Sequence, residues 1–472
     1  MEQDDDYKRR NFLLVLLVFV LAILSRIWFL FRVKQDMWHD ASFTYLYASE
    51  PAKFILSSSD VHPYLYTFFI KFFLLFSSNE IYLRLTTLVT FAVFFWLLYN
   101  FVKKNYNHFT ATFTMLLISF SSTFFFYSLE VRNYMFALVF VVLNLTYFFR
   151  MIKNYENKHS WLFVLFTVLM LYTHYFTALV LLVEIIYIFV NYRHKLILFV
   201  ETLPIITFFS IPLFFYLIGT LPKIEAFWFK DITLWSFLST ISFQFFIPET
   251  ISSIDVMLLF YIAVYVILYF VFEKDSKDYF FLILFFLPVI SVWSLSQFYQ
   301  IYHHRFFLFC GIGLYIVIAQ MLNYFIVKQK NNLMRYTVLL LWFLMIFLFS
   351  FSVFNLSDVV PTELAEAQDY MKQNIDHDKQ YTFVHNTPFS MTPFRYYFRD
   401  WDNVNHVLIT NLTKKQRFTA GGSVIKDYMI HKDSSDIDCH DGCYYIQEAG
   451  QEKPLGCLTM HEKGGLLVYD CK

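Results

Sequence analysis

Two short stretches carry polar chemistry at the edges of long apolar runs. The first is Trp38-His39-Asp40-Ala41-Ser42-Phe43, and about twenty residues on comes Ser59-Asp60-Val61-His62-Pro63-Tyr64. A carboxylate beside a membrane loses solvation, so Asp40 and Asp60 need either compensation or a task. Further along stand Glu130 and Arg132 in "YSLEVRNY", His174 and Tyr175 in "YTHYF", and His303, His304 and Arg305 in "HHRFF". Carboxylate, imidazole and guanidinium together suit a transfer in which a hydroxyl gives up a proton and a phosphate departs. For a sugar carried on a lipid phosphate, one carboxylate base and one cation suffice, whereas glycoside hydrolysis usually needs two carboxylates. A lipid monophosphate carries less charge than a nucleotide diphosphate, so a divalent metal is compatible with this chemistry but not required.

The elements that must position these residues follow from composition. The chain has 472 residues, of which 58% are hydrophobic, 22% aromatic and only 16% charged. A soluble domain is typically about a quarter charged, so the sequence predicts a polytopic membrane protein. The formal net charge is zero, which leaves no broad basic field for nucleic acid. The first apolar stretch, residues 11–33, is too long for a signal-peptide core and lacks a small-residue cleavage site, and reads as an uncleaved helix. Apolar length and the inward bias of Lys and Arg together predict eleven spans, at 11–33, 81–102, 109–127, 133–150, 160–175, 177–191, 196–219, 256–272, 279–296, 306–326 and 336–354. Residues 64–76 are too short for a crossing and carry Lys71, so they predict a helix in the interface. With Lys8-Arg9-Arg10 inside, the N-terminus is cytoplasmic and the C-terminus extracytoplasmic. The polar residues singled out above then gather at the outer leaflet, and the inner half of the bundle keeps almost none.

Residues 1–354 thus form a transmembrane catalytic domain, and residues 355–472 an extracytoplasmic domain. In the latter, "TELAEAQDYMKQNI" predicts a helix with Thr362 as N-cap and Glu363 and Glu366 in its first turn. "YTFVHN", "HVLIT" and "GLLVYD" predict strands, with a helical "PFRYYF" between the first two, so the domain is a small α/β unit. Cys439, Cys443, Cys457 and Cys471 all fall in the last thirty-four residues, and Cys310 sits apart in an apolar run as buried packing. The four admit three disulfide pairings, and a zinc site with His440 or His461 competes; an extracytoplasmic location favours disulfides. Asn355 and Asn411 match glycosylation acceptors.

"HDASF", "DVHPYLY", "YSLEVRNY", "YTHYF" and "HHRFF", in this order, resemble the GT-C polytopic membrane glycosyltransferases, in particular the protein O-mannosyltransferase and aminoarabinose transferase-like enzymes. The resemblance covers roughly residues 10–325. It implies an inverting glycosyltransferase at the plasma membrane or endoplasmic reticulum. A polyprenyl-phosphate sugar (dolichyl or undecaprenyl) is its donor, and its acceptor is a glycan, lipid or protein hydroxyl. It also implies that Asp40, the aspartate of the first outer loop, is the general base. Two departures stand out: the family's Asp-Glu is here Asp40-Ala41, and its His-Pro-Pro is His62-Pro63-Tyr64. The first removes a second acid and with it one reason for a metal.

Plainer readings stand beside these. Asp40 can cap a helix starting near Ala41, and Asp60 can cap the Pro-led helix after it. His62 can be an interface histidine, Glu130 and Arg132 can pair with other loops, and Arg305 can anchor at the headgroups. As a class, the rival is a lipid-linked sugar transporter or flippase, or a non-catalytic glycolipid-binding relative. A transporter puts its polar groups near the midplane on broken helices of repeated halves, and no half of this chain resembles the other.

Overall fold

The computed structural model describes residues 2–33, 37–57, 62–154, 156–224, 232–245, 260, 263–264, 266–271, 275–299, 301–328, 332–354, 363–376, 378–385, 388–408, 442–448, 458–463 and 466–471. The chain is an α-helical polytopic membrane protein with one small sheet, and it packs as two compact units. The first comprises residues 1–29, 84–216 and 228–356; the second comprises 30–83, 217–227 and 357–472.

Among the described residues, six helical stretches are long and apolar enough to cross a bilayer: 12–32, 80–105, 134–153, 193–218, 276–295 and 304–327. They lie in α1 (Glu2–Arg32), α5 (Glu80–Asn105), α8 (Tyr134–Lys153), α11 (Leu196–Ile224), α13 (Ser276–Leu295) and α14 (Gly311–Asn323) with its flanks. Shorter apolar helices stand between them, including α6 (His108–Phe120), α9 (Asn157–Leu171), α10 (Ala178–Asn191), α12 (Leu234–Phe243) and the first part of α15 (Asn332–Phe354). The segment 304–327 is the most enclosed, while α11 turns Phe208, Phe214 and Phe215 outward at 60–67% exposure. In a membrane such a surface faces lipid tails and costs nothing.

Two predicted spans differ from the observed helices. The stretch 109–127 is not one helix: α6 ends at Phe120, Ser121 turns extended (φ −64°, ψ 121°), and α7 (Ser122–Tyr127) restarts. The Ser121 hydroxyl explains the break. It accepts from Phe124 N at 3.3 Å and donates to Gln244 O at 2.9 Å, offering the backbone an alternative to continued helix. The tenth span opens as a 3₁₀ segment, His304–Cys310, with a kink at Phe307, before α14 begins. Of the predicted 256–272 span, residues 260, 263–264 and 266–271 are described, and these are helical.

In the second unit, α2 (His39–Ser49), α3 (Ala52–Ser57) and α4 (Leu65–Leu74) form the first loop region. Phe43, Tyr47 and Ile55 make its core, with Tyr64 and Phe68 packed on it. Lys71, the residue that interrupts the apolar run, reaches the carbonyls of Ala48 (3.0 Å) and Glu50 (2.6 Å) and so satisfies the end of α2. The same unit holds α16 (Glu363–Asn374) and α17 (Pro388–Tyr397). It also holds the strands β1 (Tyr381–His385), β2 (Val404–Leu408), β3 (Gly442–Glu448), β4 (Leu458–Lys463) and β5 (Leu466–Cys471). The sheet order is β2-β1-β3-β5-β4, with β1 parallel to both neighbours and β3-β5-β4 antiparallel. All five residues of β1 are buried, as a strand flanked on both sides requires. Thr362, the predicted cap of α16, lies outside the described residues, as do Asn355 and Asn411.

Candidate functional site

Asp40 is the second residue of α2 and half-buried. The N-cap position belongs to Trp38, whose side chain makes no capping bond, so the capping reading of Asp40 does not hold. A carboxylate in the first turn still meets the positive end of the helix dipole. The start of α2 is fixed from α17. Thr392 Oγ1 lies 2.7 Å from His39 Nδ1 and 3.3 Å from Ser42 Oγ, and Tyr397 OH accepts from Met37 N at 2.8 Å. Tyr396 packs edge-on against Tyr45 at 4.8 Å and donates its hydroxyl to Ser78 O at 3.1 Å. The "PFRYYF" helix is therefore the clamp on the aspartate-bearing helix, a role invisible in its sequence. His62 is half-buried in this unit, and Asp60 lies outside the described residues.

Beneath α17, His385 and His406 stack at 5.3 Å, with His385 Nε2 3.1 Å from His406 Nδ1 and His385 Nδ1 3.3 Å from Ser390 Oγ. Burial pushes both imidazoles below their ordinary value, His406 to about 3, and the charge of Arg395 adds to it. Two ring nitrogens that share one hydrogen bond need a donor and an acceptor, so the pair cannot be doubly protonated, and burial disfavours a single charge as well.

The first unit brings together a second group. Glu130, Arg132 and Asn133 are buried in the turn between α7 and α8, and Asn133 Nδ2 donates to Thr173 O at 2.8 Å, tying this turn to the start of the α9–α10 connection. His174 follows, buried, with its ring 5.9 Å from Tyr134 and 5.7 Å from Phe306. It lies close enough to Arg132 and Arg305 to feel both charges. Phe176 stacks on Phe306 at 5.2 Å, and Tyr175 opens the 3₁₀ turn before α10. His303 caps the segment that follows by accepting from Arg305 N at 3.3 Å, its ring 4.3 Å from that of His304. The Arg305 guanidinium lies 5.9 Å from the Phe306 ring. The structure thus gathers Arg132, His174 and the His303–Arg305 run, a set whose first and last members lie over 170 positions apart in sequence. Glu130 has a specific neighbour, Arg84 Nη1 at 3.7 Å, and Arg84 also donates to Leu129 O at 3.1 Å.

Sequence reasoning missed several charged residues inside the bundle. Arg26 is wholly buried, donates to Ser128 Oγ at 2.7 Å and is sandwiched between Phe91 and Phe125 at 4.3 and 4.6 Å. Arg84 in α5 is 1% exposed and Glu184 in α10 is wholly buried. Asp278, at the α13 start, is wholly buried and accepts from Tyr106 OH at 2.8 Å. Each stands in or beside an apolar run, a signal in itself. Phe91 and Phe125 flank Arg26, Glu130 faces Arg84, and the Tyr106 hydroxyl donates to Asp278. Among the described residues, no three His, Cys, Asp or Glu side chains group as metal ligands.

The comparisons with known proteins follow this geometry. A family model, dolichyl-phosphate-mannose-protein mannosyltransferase, matches residues 61–218. No curated protein matches the chain in sequence. Among solved structures, the chain is similar to ArnT from Cupriavidus metallidurans bound to undecaprenyl phosphate, with a TM-score of 0.61, 11% identity and 98% of each chain covered. It is also similar to the archaeal oligosaccharyltransferase AglB from Archaeoglobus fulgidus in complex with an inhibitory peptide and a dolichol-phosphate. There the TM-score is 0.53 at 11% identity, over 92% of this chain and 69% of that one. The chain has the GT-C fold, the polytopic architecture that its motif order resembles.

Proposed function

We propose that the protein is an inverting, polyprenyl-phosphate-dependent glycosyltransferase acting on an acceptor hydroxyl at the extracytoplasmic face. The observation that carries this reading is the convergence of Arg132, His174 and Arg305 in a chain of GT-C fold. The family-model match and the undecaprenyl phosphate bound to ArnT support the same donor class. In this mechanism Asp40 accepts the proton of the acceptor hydroxyl, whose oxygen attacks the anomeric carbon. The bond from that carbon to the phosphate oxygen breaks, and the lipid phosphate leaves with the electron pair. Arg305, assisted by Arg132 and the histidines, holds that phosphate and stabilises its growing charge. A cation there needs no proton to give, because phosphate leaves well unprotonated. The N-terminus is cytoplasmic, and the site and residues 355–472 are extracytoplasmic. The donor lipid, an acceptor and membrane lipids are the partners.

Asp40→Asn tests this directly. It keeps side-chain size and position and removes the base. Purified variant in liposomes with polyprenyl-phosphate sugars should release lipid phosphate about 10²–10⁴-fold more slowly. Turnover close to the native rate would remove Asp40 from the chemistry.

A further inference from the structure

The first unit contains a cavity of about 860 Å³ that the proposed transfer does not use. It lies between the C-terminal ends of α5 and α8 and the N-terminal end of α9. Lys103, Lys104, Arg150, Lys153 and His159 line it, and Glu156 is the one carboxylate among the described lining residues. Glu156 is already committed to Lys158 Nζ at 2.6 Å. The cations are not. Lys103 rests over the Tyr99 ring at 5.8 Å and Arg150 over Tyr147 at 5.0 Å, contacts that hold a cation without neutralising it. Arg150 Nε is buried and, among the described residues, has no hydrogen-bond partner. An orphaned guanidinium N–H inside a basic cavity costs free energy unless an acceptor fills the place.

The position of the cavity says what that acceptor is. From Arg84, beside Glu130, to Lys103 the rise along α5 is about 29 Å, close to the roughly 30 Å hydrocarbon thickness of a bilayer. The cavity therefore sits at headgroup depth in the opposite leaflet, the one that the sequence places in the cytoplasm. Its lining is graded. Leu97 and Leu143, about two turns deeper along their helices, are apolar, Asn100 and Thr146 lie between, and the lysines stand at the ends. An anion with an apolar tail matches both parts.

We infer that this cavity binds the phosphate headgroup of an anionic membrane lipid, with Arg150, Lys153, Lys103 and Lys104 as its ligands. The site is separate from the transfer site and independent of the activity proposed for it. The competing account is that these cations merely orient the chain in the membrane.

The test uses the full-length protein with phosphatidylglycerol vesicles, phosphatidylcholine vesicles and inorganic phosphate as probes. Retained lipid is read by native mass spectrometry, and stabilisation by melting temperature. Phosphatidylglycerol should bind and stabilise more than phosphatidylcholine, and affinity should fall about fivefold for each cavity charge removed in Arg150→Gln/Lys153→Gln. Lys53→Gln, an exposed lysine of α3 outside the lining, should bind as the native chain does. If the double variant fails to fold, Lys153→Gln alone, an exposed position, should show the single fivefold loss. Equal retention of phosphatidylglycerol by native and cavity variants would overturn the site. Stabilisation by inorganic phosphate as great as by the lipid would overturn the lipid as ligand in favour of a soluble phosphate.

Discussion

At Arg305 the issue is what a guanidinium does that another cation does not. Its backbone N–H is fixed by His303 Nδ1, and its neighbours Phe306 and His174 are packed aromatic surfaces. A charge held in such a low-dielectric setting acts on a phosphate more strongly than one in water. The guanidinium also presents a planar fork of donors that matches phosphate oxygens in pairs. Arg305→Lys, which keeps the charge and loses the fork, is expected to retain part of the activity. Arg305→Ala is expected to lose donor affinity and rate together, because the phosphate is held before and during transfer. Direct measurement of donor binding decides the matter: unchanged affinity and turnover in the alanine variant would leave Arg305 as a headgroup anchor. Of the residues around it, Arg132 and His174 were legible in the sequence, because polar residues at membrane edges stand out. Arg26 and Arg84 were equally visible as letters in apolar runs. Their compensation by Phe91, Phe125, Ser128 and Glu130 was not, since those partners come from other helices.

Elements show where the reading of periodicity ends. α14 approaches α13 so closely at Gly313 that an added Cβ would overlap the Phe281 carbonyl oxygen, a backbone atom that cannot swing aside. Gly313→Ala should therefore destabilise the bundle by about 1–3 kcal/mol, as overpacking usually does. A lowered melting temperature in detergent measures this, and an unchanged value would show that the two helices separate freely. Helix positions were readable because apolar length is a strong signal in a membrane chain. The break at Ser121 and the 3₁₀ start at His304 were not, because both depend on hydrogen bonds to distant partners. In the sheet, β1 and β5 were legible from their β-branched and aromatic runs, and the strand read at "HVLIT" forms two residues earlier, at Val404–Leu408. β3 and β4 carry a polar pattern that hides them. Their register supplies what cysteine spacing could not: Cys443 stands opposite Cys471 on adjacent antiparallel strands. Directly opposed residues there have Cα atoms about 4.5–5.5 Å apart, within disulfide reach. Peptide mapping of non-reduced protein should find Cys443 joined to Cys471, with Cys439 and Cys457, which lie outside the described residues, as the second pair. Free reaction of Cys443 with a thiol reagent in native membranes would exclude this pairing and favour the zinc reading.

For the whole molecule, the division into two units makes a claim about pH, because the neutral His385–His406 pair belongs to the second unit alone. In the unfolded chain each imidazole titrates near 6.5, while in the folded unit burial and Arg395 hold both lower, His406 at about 3. Above pH 6.5 both states are neutral and the pair's contribution is complete. As pH falls below 6.5 the unfolded chain takes up protons that the folded pair refuses, so stability declines by about 1.4 kcal/mol per pH unit for each histidine until the folded values are reached. The range from pH 6.5 to 5 isolates this effect, because carboxylates titrate mainly below it. Hydrogen exchange in β1 and β2 should accelerate over that range beyond the intrinsic change. His406→Gln removes one titrating ring and leaves His385 Nε2 without its imidazole partner. The variant should start less stable at neutral pH, by about 1–3 kcal/mol, and then lose stability with roughly half the native slope. An identical slope in variant and native protein would mean that the acid response comes from groups other than this pair.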